Sequence, residues 1–238
     1  MNDEFHISSN RKLHYPQLAN SIYLDNAGCP PVAEPVLKNN YMQLSQELLG
    51  NIHSTGSSSA SRTLKSVNNT RELILKHFNA DPLNYSVIFV QNTTAALKLV
   101  AECINWEMVY LHECSHTSVI GIGVSVSNRM SLDVNDCVLT LNDNIFPEIT
   151  HANENGYGIA CYPAQCNFSG TRYPLSWINT LKQRNSSQLK VLVDAASYLT
   201  SSQIDLEAFP ADFLTVSFYK MFGTPTSLVI NGLTYRLL

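Results

Sequence analysis

Charge is scarce in this sequence, and basic charge most of all. Charged side chains make up 14% of the 238 residues, with 15 Lys and Arg against 19 Asp and Glu and a formal net charge of -4. No basic patch or stripe stands out, so nothing resembles the footprint that nucleic acid requires, and no nucleic-acid partner is expected. Long apolar runs are also missing. Stretches such as Val87–Val90 and Val191–Val193 are far shorter than the ~20 residues that cross a bilayer, so no membrane segment is expected. The six cysteines (Cys29, Cys103, Cys114, Cys137, Cys161 and Cys166) form no CxxC pair and no framework spacing. That pattern suits reduced thiols in a cytoplasmic protein rather than a disulfide scaffold, and no metal site is expected. Residues 1–10 hold Asp3, Glu4 and His6 and lack the basic region and apolar core of a secretory signal. Internal repeats are not evident.

What is present is enough hydrophobic material, 45% of the chain, to bury a large core. Short β-rich runs alternate with helical patterns. Strands are predicted at Ser86–Val90, Met108–Leu111, Cys137–Leu141, Gly158–Tyr162, Leu189–Val193 and Phe213–Ser217. Helices are predicted over Ala33–Leu49, Leu64–Phe78, Thr94–Cys103, Ser118–Val126 and Pro174–Arg184, the last with Leu175, Ile178 and Leu181 on one face. The Ser-rich stretch Ser54–Ser61 reads as a loop or a helix start. Strand–helix alternation of this kind predicts an α/β fold, a mostly parallel sheet with helices on both faces. Ligands in such sheets bind beyond the carboxyl ends of the strands.

Four predicted strand ends carry polar groups. Gln91-Asn92-Thr93-Thr94 opens a helix, where exposed amides and a positive dipole end suit a phosphate; an ordinary Thr N-cap is the plainer alternative. Cys114-Ser115-His116-Thr117 offers a His that either stacks on an aromatic ligand or lies in a solvated loop. Asn167, within Pro163–Gly170, either donates to a phenolate oxygen or forms a turn. Asp194, followed by two alanines, either faces a flat ligand or caps a helix. One strand later comes Ser217-Phe218-Tyr219-Lys220, whose lysine by position alone would be an ordinary surface residue. The combination is more specific than its parts. Pyridoxal 5'-phosphate (PLP) needs a lysine for its aldehyde, an acid at its ring nitrogen and an anion cup for its phosphate.

With these residues assembled, the chain resembles the class V aminotransferase superfamily, and within it the amino-terminal domain of the molybdenum cofactor sulfurases. The resemblance runs from about Tyr23 to Thr226. It rests on Tyr23-Leu24-Asp25-Asn26-Ala27-Gly28, Gly50-Asn51-Ile52-His53-Ser54, Tyr85–Val100, His116-Thr117-Ser118-Val119 and Asn167-Phe168-Ser169-Gly170 with Tyr173–Ile178. It continues through Asp194-Ala195-Ala196-Ser197-Tyr198, Asp205-Leu206, Ala211-Asp212-Phe213 and Ser217–Gly223. Asn26 stands where the family has His. The resemblance implies a PLP-dependent transferase fold of type I, with a seven-stranded-type sheet that is incomplete at the C-terminus. An arm would cover 1–22 and the partial PLP domain 23–238.

The resemblance also implies roles. Thr93, Thr94 and Ser217 would bind the phosphate, His116 would stack on the ring, Asn167 would reach its phenolate oxygen and Asp194 its nitrogen. Lys220 would carry the cofactor and move protons. Ser197 and Tyr219 stand where bacterial cysteine desulfurases carry Gln and His. The implied reaction takes sulfur from L-cysteine, leaving alanine and an enzyme persulfide. Sulfur then passes to the molybdenum cofactor of xanthine dehydrogenase and aldehyde oxidase. A homodimer is expected. Only 18 residues follow Lys220, so the family's small domain, persulfide cysteine and molybdenum-cofactor-binding domain are expected to be missing, and the chain to be a fragment inactive alone. The alternatives are a kynureninase- or transaminase-like enzyme, and a non-catalytic fragment that pairs with a full-length subunit.

Overall fold

The computed structural model describes residues 7–54, 56–150, 156–184, 188–223 and 233–235. The chain enters through helices α1 (Ile7–His14), α2 (Glu34–Gln46) and α3 (Ser58–His77). It continues with β1 (Tyr85–Val87), α4 (Thr93–Cys103), β2 (Trp106–His112), α5 (Thr117–Met130), the single turn α6 (Val134–Cys137) and β3 (Val138–Leu141). Then follow β4 (Tyr157–Pro163), α7 (Ser176–Arg184), β5 (Leu189–Asp194), β6 (Phe213–Thr215), α8 (Phe218–Phe222) and β7 (Leu233–Tyr235). The seven strands form one sheet in the order β1-β7-β6-β5-β4-β2-β3. β3, β2, β4, β5 and β6 are mutually parallel, and β7 runs antiparallel to both β6 and β1. The expected α/β architecture is therefore present. Among the described residues, no helix is long and apolar enough to cross a membrane.

Period-two alternation in the central strands divides the core in two. Val109, Leu111, Ile159, Cys161 and Leu192 face one side, where α4 covers them with Leu97 and Val100 and α5 with Val119, Ile122 and Val126. Tyr110, Ala160, Tyr162, Val191 and Val193 face the other, against Ile74 of α3 and Ile178 and Leu181 of α7. Both faces are apolar because helices cover both, as a parallel sheet requires. Gly123 lets α5 approach β3, since a Cβ there would press on the Val138 side chain.

Several boundaries differ from the sequence reading. The strand expected at Ser86–Val90 is β1, which pairs with β7 over three residues only. The strand expected to reach Ser217 stops at Thr215, because Ser217 already turns the chain into α8. Cys137 closes α6 rather than opening β3. Helix α3 begins six residues before the expected Leu64. Its N-cap is Ser57, whose hydroxyl accepts the Ala60 N–H, so the Ser-rich stretch is a helix start. The last part of the resemblance, residues 224–226, lies outside the described residues.

Candidate functional site

The carboxyl ends of β4 and β5 and the amino ends of α4, α5 and α8 converge on a cavity of about 120 Å³. Helix α4 presents its first turn there. Asn92, not a threonine, is the N-cap, and its side chain accepts the Ala95 N–H at 2.8 Å. This corrects the Thr N-cap alternative and places Thr93 and Thr94 inside the first turn, lining the cavity. Thr94 Oγ1 lies 2.8 Å from Ser118 Oγ. His116 is exposed in the loop that leads into α5, and it lines the same cavity. It caps α5 with its side chain, Nδ1 accepting the Ser118 N–H at 3.1 Å. From the loop after β4, Gln165 and Asn167 reach the same space.

Asp194 ends β5 and is 7% exposed. Its Oδ1 accepts the Ala196 N–H at 3.0 Å and faces the Thr215 hydroxyl at 3.5 Å. The next helical turn, Tyr198–Thr200, starts from Ser197, so Asp194 holds a turn and caps no helix. Burial pushes its carboxyl above the usual range, against the opposing pull of the Ala196 N–H, Lys220, His116 and the Thr215 hydroxyl. Tyr219 and Lys220 come from α8, which begins three residues after the end of β6, the strand beside β5. Gly223 ends α8 in the left-handed region at φ +70°. A Cβ there would collide with the Pro30 carbonyl and with Pro31, so a glycine lets α8 dock on the segment that precedes α2.

Residues 22–228 match the family described as "Aminotransferase class-V". The chain belongs to the class-V aminotransferase family. It is 38% identical over 239 residues to the molybdenum cofactor sulfurase of Homo sapiens and 35% identical over 226 residues to that of Chaetomium globosum. Each match covers 92% of this chain but 26% and 28% of the relative, so the chain spans about a quarter of the length of the curated relatives it matches. The cysteine desulfurase CsdA of Escherichia coli superposes with a TM-score of 0.74 at 20% identity, covering 96% of this chain and 57% of that one. A C-DES variant with glycine covalently linked to its PLP cofactor also superposes at 0.74, with 18% identity, 94% of this chain and 59% of that one. These likenesses show that the fold is shared.

Eight of the nine residues singled out in the sequence line the one cavity: Thr93, Thr94, His116, Asn167, Asp194, Ser197, Tyr219 and Lys220. Ser217 does not line it. It lies at the start of α8, 1% exposed, with a hydroxyl that has no hydrogen-bond partner among the described residues. Sequence reasoning passed over Asn92, Ser118 and Gln165 as site residues. Asn92 and Gln165 stood inside the polar segments that follow predicted strands, and Ser118 at the start of the helix after one, which was the available signal. Their side-chain directions were not.

The residues present fit PLP. A buried acid, a lysine from the neighbouring strand end, a helix amino end carrying two hydroxyls and an orphaned serine hydroxyl form the donor and acceptor set its ring and phosphate call for. A cationic N–H placed against Asp194 would also draw its carboxyl back to the ionised form. Among the described residues no cysteine lines the cavity.

Proposed function

We propose that this cavity holds PLP and that the chain is the cofactor domain, with an arm over 1–22, of a cysteine desulfurase-type sulfurtransferase acting on L-cysteine. The observation that carries the reading is the meeting of Asp194, Lys220 and the first turn of α4 around one cavity. Bound there, PLP supplies an aldehyde that captures amines and a ring that withdraws electrons from a substrate's Cα. Lys220 Nζ would hold the cofactor and, when free, would serve as the general base for the substrate's Cα proton. Asp194, drawn into its ionised form, keeps the proton on the ring nitrogen. Thr93, Thr94 and the free amides of α4 bind the phosphate, with the Ser217 hydroxyl as a further donor. His116 would stack on the ring, Asn167 would donate its amide to the phenolate oxygen, and Ser197 and Tyr219 would complete the walls.

The relatives are named molybdenum cofactor sulfurases, which supports molybdenum cofactor, in enzymes such as xanthine dehydrogenase and aldehyde oxidase, as the final sulfur acceptor. The same reading draws the persulfide thiol from beyond this cavity's lining and takes a second copy as partner.

Supplying PLP, reducing with borohydride and mapping peptides should place the cofactor's mass on Lys220 and nowhere else. Lys220→Ala should remove the label. Label on another lysine, or none on the folded chain, refutes the assignment. Among amino acids added before reduction, L-cysteine should perturb the cofactor's absorbance most. A stronger response to kynurenine or to a transaminase substrate would replace the desulfurase reading with another class V activity.

A further inference from the structure

The Ser118 hydroxyl stands between two groups of the site. Its Oγ lies 2.8 Å from Thr94 Oγ1 and 3.1 Å from His116 Nδ1. The backbone N–H of the same serine donates to the same Nδ1, also at 3.1 Å. A ring nitrogen offers a single lone pair, and offers it only without a proton. Nδ1 of His116 is therefore the bare nitrogen and Nε2 carries the hydrogen. The backbone donor is a fixture, since it is the capping contact that starts α5. The hydroxyl hydrogen has two destinations: Nδ1, or Thr94 Oγ1.

We propose that Ser118 is a positioning residue that couples occupancy of the anion cup at Thr93 and Thr94 to the hydrogen bonding of His116. The inference rests on the phosphate-cup reading above and deepens it. When the hydroxyls run from Thr94 to Ser118 to His116, two donors share the one Nδ1 lone pair and Thr94 has no hydrogen left for the cup. When the order reverses, Ser118 donates to Thr94, and the Thr94 hydrogen is released toward the cup. Each hydroxyl has one hydrogen, so the two orders exclude each other. An anion selects the second, because a hydrogen bond to a charged acceptor is about twice as strong as one between neutral groups. Filling the cup thus strips one donor from Nδ1 with no heavy atom displaced. Asp194, Lys220 and Tyr219 share the cavity with His116; the variants below leave all three in place.

The test is nitrogen NMR of His116 in the 238-residue chain, titrated with inorganic phosphate, with the Thr93 and Thr94 amides as reporters of the cup. In the wild type, phosphate should move Nδ1 downfield, as a pyridine-type nitrogen moves on losing a donor. Ser118→Ala should begin at that downfield position and not respond further. Thr94→Val leaves the Ser118 hydroxyl only Nδ1 to donate to, so the resonance should stay upfield with phosphate present, and phosphate should bind about tenfold more weakly for want of one charge-assisted bond. Ser118→Thr should restore the wild-type response. Opposite signs in the two disabling variants are not expected of a merely structural serine. A wild-type response in Ser118→Ala overturns the inference while leaving the cup intact. Thr93 and Thr94 amides unmoved by phosphate overturn the cup and the inference together.

Discussion

Asp194→Asn should strengthen the cofactor-free protein while abolishing its hold on the cofactor. The side chain is 7% exposed, and burial drives its carboxyl above the usual range. An acid whose folded pKa is raised favours the folded state only while protonated. The stability it contributes is full below its unfolded value of ~3.9 and is lost as pH rises through the folded value, at about 1.4 kcal/mol for each unit between the two. Asparagine keeps Oδ1, and with it the Ala196 N–H at 3.0 Å, but never ionises. Desolvating a carboxylate costs several kcal/mol, and the Ala196 N–H, the Thr215 hydroxyl and the Lys220 cation offset most of that, so a gain on the order of 1 kcal/mol is expected near pH 8. It should shrink toward nothing below about pH 4. Urea midpoints of the two proteins at both pH values read the difference directly. The same variant should retain far less PLP, because the ring nitrogen loses its anionic partner. Equal stability differences at both pH values, or a variant weaker than wild type at the higher one, would refute the argument.

Two further substitutions separate scaffold from site. Gly223→Ala forces a side chain into the left-handed region, which costs roughly 1–2 kcal/mol, and drives it into the Pro30 carbonyl; lower thermal stability and weaker cofactor retention should appear together, since the helix it ends carries Lys220. Asn92→Ala removes the cap of α4 and should cost about 1 kcal/mol, read by denaturation. Asn92→Asp keeps that cap but sets a negative charge at the anion cup, so stability should persist while phosphate binding, followed by NMR, falls.

Much of the fold was legible because its signals are local. Alternation along Ile159-Ala160-Cys161-Tyr162 and Val191-Leu192-Val193 marks strands buried on both faces, and the polar residues after each strand are adjacent to it in the chain. Thr93, His116, Asn167, Asp194 and Lys220 could be named from that rule and from family resemblance. Boundaries were less legible where tertiary partners set them. β1 lasts three residues because its one neighbour is the antiparallel β7, which lies nearly 150 residues later in the chain. Ser57 rather than a later residue starts α3 because a serine hydroxyl finds the Ala60 N–H.

By itself the sequence determined the parallel α/β class, the succession of strand ends and the identity of the acid and lysine, all consequences of short-range periodicity and residue chemistry. Only the tertiary structure decided how those ends converge. It set Asn92 as the cap so that both threonines face the cavity, left the Ser217 hydroxyl buried without a partner among the described residues, and brought Ser118 between Thr94 and His116. Such facts depend on which helix amino ends meet, and that follows from strand order and the packing of α4 on α5, not from any property of neighbouring residues.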